Sequence, residues 1–135
     1  MSEISKDVKI VFLVNAILAL IYAFLFLVIP EIHAQNTDAV NRGGFSSVTF
    51  RQLGASMLIL GVGNLIAVKR AELEQTKIFW EMGILWLILM LGIGIWATVA
   101  IPFTTTASAV DSWIGNIILV VLAILNIYYY NRDGR

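Results

Sequence analysis

Cysteine is absent from the 135 residues, which excludes disulfides, thiol redox chemistry and thiolate metal sites. Histidine occurs once, as His33, and one imidazole without cysteines or an acidic cluster makes a poor metal site. Neither a metal nor a cofactor is expected. Charge is scarce: Asp, Glu, Lys and Arg make up 13% of the chain, against about 25% in soluble domains. Nine basic residues balance nine acidic ones, so no global field recruits nucleic acid. The sequence has no Asn-x-Ser/Thr acceptor, nucleophile elbow, phosphate loop or zinc-helix motif. Gly61-Val62-Gly63 is embedded in an apolar helix and reads as packing, not as a nucleotide loop. With no catalytic constellation, no enzymatic activity is expected.

Apolar residues are abundant, at 59% of the chain, with a mean hydropathy of +0.87. A soluble chain this small could not bury so much apolar surface. The expected fold is all-α: a single integral membrane domain, an antiparallel bundle of four helices spanning approximately 9–30, 48–68, 78–101 and 113–130. The run Ile10–Ile29 has about the length of a bilayer core and stops at Pro30, which cannot continue the helix ladder. A signal peptide would carry a shorter apolar core of about 7–15 residues, so a retained span is expected. Glu31–Thr49 is the longest polar connection and holds His33, Asp38, Arg42 and the turn signal Gly43-Gly44; its periodicity does not decide whether it contains a short helix. Lys69–Lys77 reads as a charged helical connector. Pro102 closes the third span, and Asp111 or Ser112 is a candidate cap for the fourth. Trp80 and Trp96 suit interfacial positions, and Tyr128-Tyr129-Tyr130 forms an aromatic belt.

Small residues organise the second and third spans. At 100° per residue Gly54 and Gly61 share one side of the second span, while Ser56, Gly63 and Ala67 share roughly the opposite one. Small residues let backbones approach in lipid, so this span is expected to have neighbours on both sides. In the third, Gly83, Leu87, Met90, Gly94 and Ala97 form one stripe, also read as a packing face. The four short spans, with Arg51-x-x-Gly54 opening a glycine-rich second span, resemble small prokaryotic membrane proteins of the DoxX-like type. That resemblance implies the fold and the membrane location. It implies no redox activity, because no catalytic residue of that group maps onto this chain.

Four crossings put both termini and the middle connector on one side, with Lys6, Lys9, Lys69, Arg70, Lys77, Arg132 and Arg135. Only Arg42 and Arg51 lie opposite, and this asymmetry predicts cytoplasmic termini in the cell membrane. The two halves echo each other in Ile29-Pro30 and Ile101-Pro102 and in Asn64 and Asn126, with little further identity.

Polar groups within a span need partners. By helical rise Asn15, Asn64 and Asn126 fall roughly 6–9 Å inside the cytoplasmic boundary. Glu81 lies nearer the surface, and Tyr22 two turns deeper than Asn15 on the same face. These residues make a candidate inner polar layer, either a set of inter-helix hydrogen bonds or the base of a ligand cavity. A second candidate cluster, at the opposite end, comprises Glu31, Arg51, Gln52, Asp111 and Asn116, with lipid headgroups or a partner subunit as its contacts. The first functional expectation is a non-catalytic protein acting through helix contacts, as an accessory subunit or homo-oligomer, with the bilayer and itself or another membrane protein as partners. The alternative is a binder or carrier of a lipid or small amphipathic ligand.

Overall fold

The computed structural model describes residues 3–40, 46–70 and 72–134. They form five helices: α1 (Lys6–Val28), α2 (Pro30–Asn36), α3 (Ser47–Arg70), α4 (Leu73–Ala100) and α5 (Thr106–Asp133). The described residues contain no strand, only an isolated bridge between Glu3 and Glu72. α1, α3, α4 and α5 are long and apolar enough to cross a membrane. Arg42, Gly43, Gly44 and Arg135 lie outside the described residues.

Local chemistry sets the helix ends. Ser5 caps α1 by accepting the Val8 N–H at 3.3 Å, and Asp7 places negative charge in the first turn, where the helix dipole favours it. α1 stops at Val28 because a residue before proline is pushed out of the helical region: Ile29 sits at φ −131°. Pro30 then opens α2 at its first position, where a missing N–H is harmless. The Glu31–Thr49 connection thus begins with a short helix that seven residues of sequence are too few to reveal by periodicity. Asp38 adopts a left-handed φ of 58°, which aspartate tolerates better than most side chains. Its carboxylate accepts the Thr104 N–H at 2.9 Å and the Thr104 hydroxyl, tying the exit of α2 to the segment before α5.

Two boundaries differ from the sequence reading. α5 starts at Thr106, not near Trp113, because Thr105 is the cap: its hydroxyl accepts the Ser108 N–H at 3.2 Å. Asp111 and Ser112 therefore lie inside the helix. The charged connector is not one continuous helix, since α3 ends at Arg70 and Glu72 is extended at φ −110°, ψ 119°. Among the described residues, none within 69–77 forms an ion pair.

Glycine contacts show which helices are close. A Cβ on Gly54 would lie 2.9 Å from Phe26 Cβ, and one on Gly61 would lie 2.8 Å from Leu20 side-chain atoms, so both glycines belong to a tight α1–α3 seam. Gly63, on another side of α3, meets the Phe79 ring of α4. α4 and α5 pack through Leu87, Leu122 and Ala123. The chain ends meet: Ser5 Oγ donates to Asp133 at 3.1 Å and Arg132 Nη2 to Asp7 at 3.2 Å. With the Glu3–Glu72 bridge, they place both termini and the α3–α4 connector at one end of the molecule, called here the terminal end. The opposite end carries α2. Ile4, Val8, Phe12, Ala67, Leu73 and Trp80 form the buried core of the terminal end.

Candidate functional site

A cavity of about 510 Å³ runs between the α1–α3 pair and the α4–α5 pair. That volume is within the roughly 300–1,000 Å³ of small-molecule pockets. The stripe Gly83, Leu87, Met90, Gly94 and Ala97 of α4 lines it. The same stripe also packs on α5, Leu87 against Leu122 and Ala123 and Gly94 against the Asn116 side chain. Gly83 and Gly115, on α4 and α5, both line the cavity, and a Cβ on either would meet nothing within 4 Å. At Gly54 and Gly61 of α3 a missing side chain permits close approach to α1, whereas at Gly83 of α4 and Gly115 of α5 it leaves room.

The terminal end of the cavity is closed by one hydrogen-bonded node. Asn15 Nδ2 donates to Asn126 Oδ1 at 2.7 Å, and Asn126 Nδ2 returns a bond to Asn15 Oδ1 at 2.9 Å. Trp80 Nε1 donates to the same Asn126 oxygen at 3.0 Å, and Asn126 Nδ2 also donates to the Leu122 carbonyl at 2.8 Å. An amide has two donor hydrogens and two acceptor lone pairs, so Asn126 is saturated. Trp80 does not face outward. It is only 2% exposed, with its ring against Phe12 at 5.0 Å and Tyr130 at 5.3 Å. Trp96, the other tryptophan assigned to an interface, is exposed.

The structure does not bring the rest of the inner polar layer into this node. Asn64 lines the cavity, but its amide donates to the Leu60 carbonyl of its own helix at 2.7 Å. Glu81 is exposed and accepts the Tyr130 hydroxyl. Tyr22 lies towards the α2 end, its ring 6.1 Å from Phe26 and 6.4 Å from His33. The opposite cluster also divides. Arg51 donates to the Leu27 carbonyl at 2.6 Å and pairs with Glu31 at 3.7 Å, on the exposed surface. Gln52 is likewise exposed. Asn116 is buried and donates to Thr98 Oγ1 at 2.9 Å and to the Gly94 carbonyl at 3.4 Å, knitting α5 to α4. Asp111 lines the cavity.

At the α2 end, three polar groups that the sequence reading had kept apart line the same cavity: Tyr22, His33 and Asp111. Among the described residues, none of their side chains has a hydrogen-bond or ion-pair partner. His33 is carried by α2, not by an open loop, and sits against Phe26 at 4.6 Å and Phe50 at 6.1 Å. Burial pushes its imidazole below the ordinary histidine range, while the nearby Asp111 charge pulls it partly back. Burial therefore favours the neutral imidazole. The only signal that could have joined His33 to Asp111 was their common placement at the loop end of adjacent elements, which the unread α2 concealed.

The described residues contain no group of three or more His, Cys, Asp or Glu able to hold a metal ion. No protein-family model, curated protein or solved structure matches the chain.

Proposed function

We propose that the chain is a multi-pass membrane protein whose four long helices cross the bilayer as an antiparallel bundle, with both termini cytoplasmic, and that it binds a small amphipathic ligand between its two helix pairs. The observation that carries this reading is the cavity itself, apolar along its walls, saturated with hydrogen bonds at one end and unsaturated at the other. An amphipathic molecule matches that gradient. Its apolar body would lie along Leu18, Leu60, Leu87 and Leu119, and its polar group would meet Tyr22, His33 and Asp111. Burial of polar groups without partners is unfavourable, so a hydrogen-bonding ligand would satisfy groups that the protein leaves unmatched. The proposed role is binding or carriage, with no bond of the ligand altered. The basic excess at the terminal end supports cytoplasmic termini.

Native mass spectrometry of the purified protein released from lipid particles tests the proposal. The wild type should retain an adduct that Gly83→Leu, which fills the cavity without a backbone clash, lacks. Equal adducts on both would contradict it.

A second reading, an accessory subunit or homo-oligomer acting through helix contacts, draws on the poor burial of α4. Only 6% of its most apolar window is buried inside the fold, against 22–28% for the other three long helices. That reading expects Gly92→Leu, on the exposed face of α4 where a Cβ meets nothing within 4 Å, to change the oligomeric mass. An unchanged mass with a single copy would remove it.

A further inference from the structure

We infer that the cavity selects a lipophilic cation, an organic ammonium on an apolar body, with Asp111 as its counter-ion. This rests on the ligand-binding reading above and narrows it to one chemical class.

Charge is the first argument. Among the described residues lining the cavity, Asp111 is the one acidic side chain, and none is lysine or arginine. Among the described residues Asp111 has neither an ion-pair nor a hydrogen-bond partner. Among the described residues, two basic groups belong to this end of the molecule, Arg51 and His33. Arg51 is held on the surface by the Leu27 carbonyl and Glu31, and burial disfavours a charge on His33. A carboxylate at the edge of a low-dielectric space is stabilised by an opposite charge, and among the described residues none pairs with Asp111. An anionic amphiphile would be repelled by the same group.

The walls supply the second argument. Phe26 stands 5.3 Å from Phe50 with their planes at 89°, and Tyr22 and His33 complete a four-ring patch beside Asp111. Aromatic faces attract cations through their quadrupoles, most strongly where water is excluded. Trp86 and Phe79 continue the aromatic lining towards the terminal end. Carboxylate plus aromatic faces is a combination that suits an ammonium group better than a neutral hydroxyl.

The other end of the cavity is closed to a polar group. The saturated Asn15–Asn126–Trp80 node offers no remaining donor or acceptor on Asn126. A ligand's charged group is thereby directed to the α2 end, and its apolar portion to the middle. The ammonium could belong to a free amphiphile or to a lipid headgroup, and both present the same chemistry to Asp111.

The full chain in phosphatidylcholine nanodiscs provides the test, with dodecylammonium and dodecanol as probes and protein-free nanodiscs as the baseline. The wild type is expected to bind dodecylammonium more tightly than dodecanol. In Asp111→Asn, which keeps side-chain size, that preference should fall at least about tenfold, and Asp111→Glu should restore most of it. Undiminished preference in Asp111→Asn, or equal affinity of the wild type for the two probes, would overturn the cation inference. If Gly83→Leu abolishes the binding of both probes while Asp111→Asn changes nothing, the cavity reading survives and only the cation is wrong. If Gly83→Leu alters neither probe, both fall. Moving the protein from phosphatidylcholine, whose headgroup carries an ammonium, into a nonionic maltoside micelle, which carries none, distinguishes the sources: tighter dodecylammonium binding in the micelle indicates competition by a headgroup ammonium, and unchanged binding indicates a free amphiphile.

Discussion

The two ends of the cavity are built from similar side chains and behave oppositely. At the terminal end Asn15, Asn126 and Trp80 from three helices exhaust the bonding capacity of Asn126. At the α2 end Tyr22, His33 and Asp111, again from three helices, line the same space without bonding one another. A buried polar network that is saturated fixes register, whereas one left open is costly unless something else satisfies it. The first arrangement is what a structural pin requires, and the second is what a binding site requires. Polar residues in an apolar bundle are thus separated by their bonding completeness, not by their depth or type.

That contrast can be broken most severely at Asn126. Asn126→Leu removes the whole node and leaves the Trp80 indole N–H and the Asn15 amide without partners. The expected loss is about 2–3 kcal/mol of folding stability, read by denaturant or SDS unfolding in mixed micelles. Asp111→Asn should change the same measurement by no more than about 0.5 kcal/mol. Equal losses at both ends would erase the distinction. Glycines sharpen it next. Gly61→Leu drives a side chain into Leu20 at the α1–α3 seam and should destabilise by about 2 kcal/mol. Gly83→Leu enters open space and should leave the unfolding midpoint unchanged or raised. Trp80→Phe comes third: it keeps the aromatic contact with Phe12 but loses one hydrogen bond, for about 1 kcal/mol.

The smallest effect concerns pH. The folded state holds His33 below its ordinary value of 6.5, so as pH falls below that value the unfolded chain takes up the proton first. The stability associated with neutral His33 is present above about pH 6.5 and is lost progressively on acidification. The unfolding midpoint should therefore decline below that pH. His33→Gln should flatten the decline, and an identical slope in both proteins would show that His33 does not contribute.

Much of the scaffold was legible in the sequence, because four apolar runs separated by proline and charge leave few alternatives. Matching helical depths also placed Asn15 and Asn126 at one level, and the structure joins them. The burial of Trp80 was not legible, because the preference of tryptophan for membrane interfaces says nothing of the rings of Phe12 and Tyr130 that enclose it here. The α4 stripe serves two purposes, with Leu87 and Gly94 against α5 and Gly83 facing open space. Small residues at helical spacing describe a smooth surface, and a smooth surface serves equally for close packing and for the wall of a cavity. Only the position of the opposing helix decides between them, and the stripe itself carries no information on that. The start of α5 turned on a choice among several capping residues, since Thr105, Asp111 and Ser112 are all competent by type. His33 depended on α2, seven residues too short to show a period.

The most direct measurement is a density map of the purified protein in lipid, at a resolution that shows side chains. The account predicts an elongated molecule between the helix pairs, with its polar group beside Asp111, His33 and Tyr22 and the Asn15–Asn126–Trp80 node intact beneath it. A collapsed interior with α4 packed onto α3 and α1, or a polar group seated at Asn126 in place of its protein partners, would contradict it.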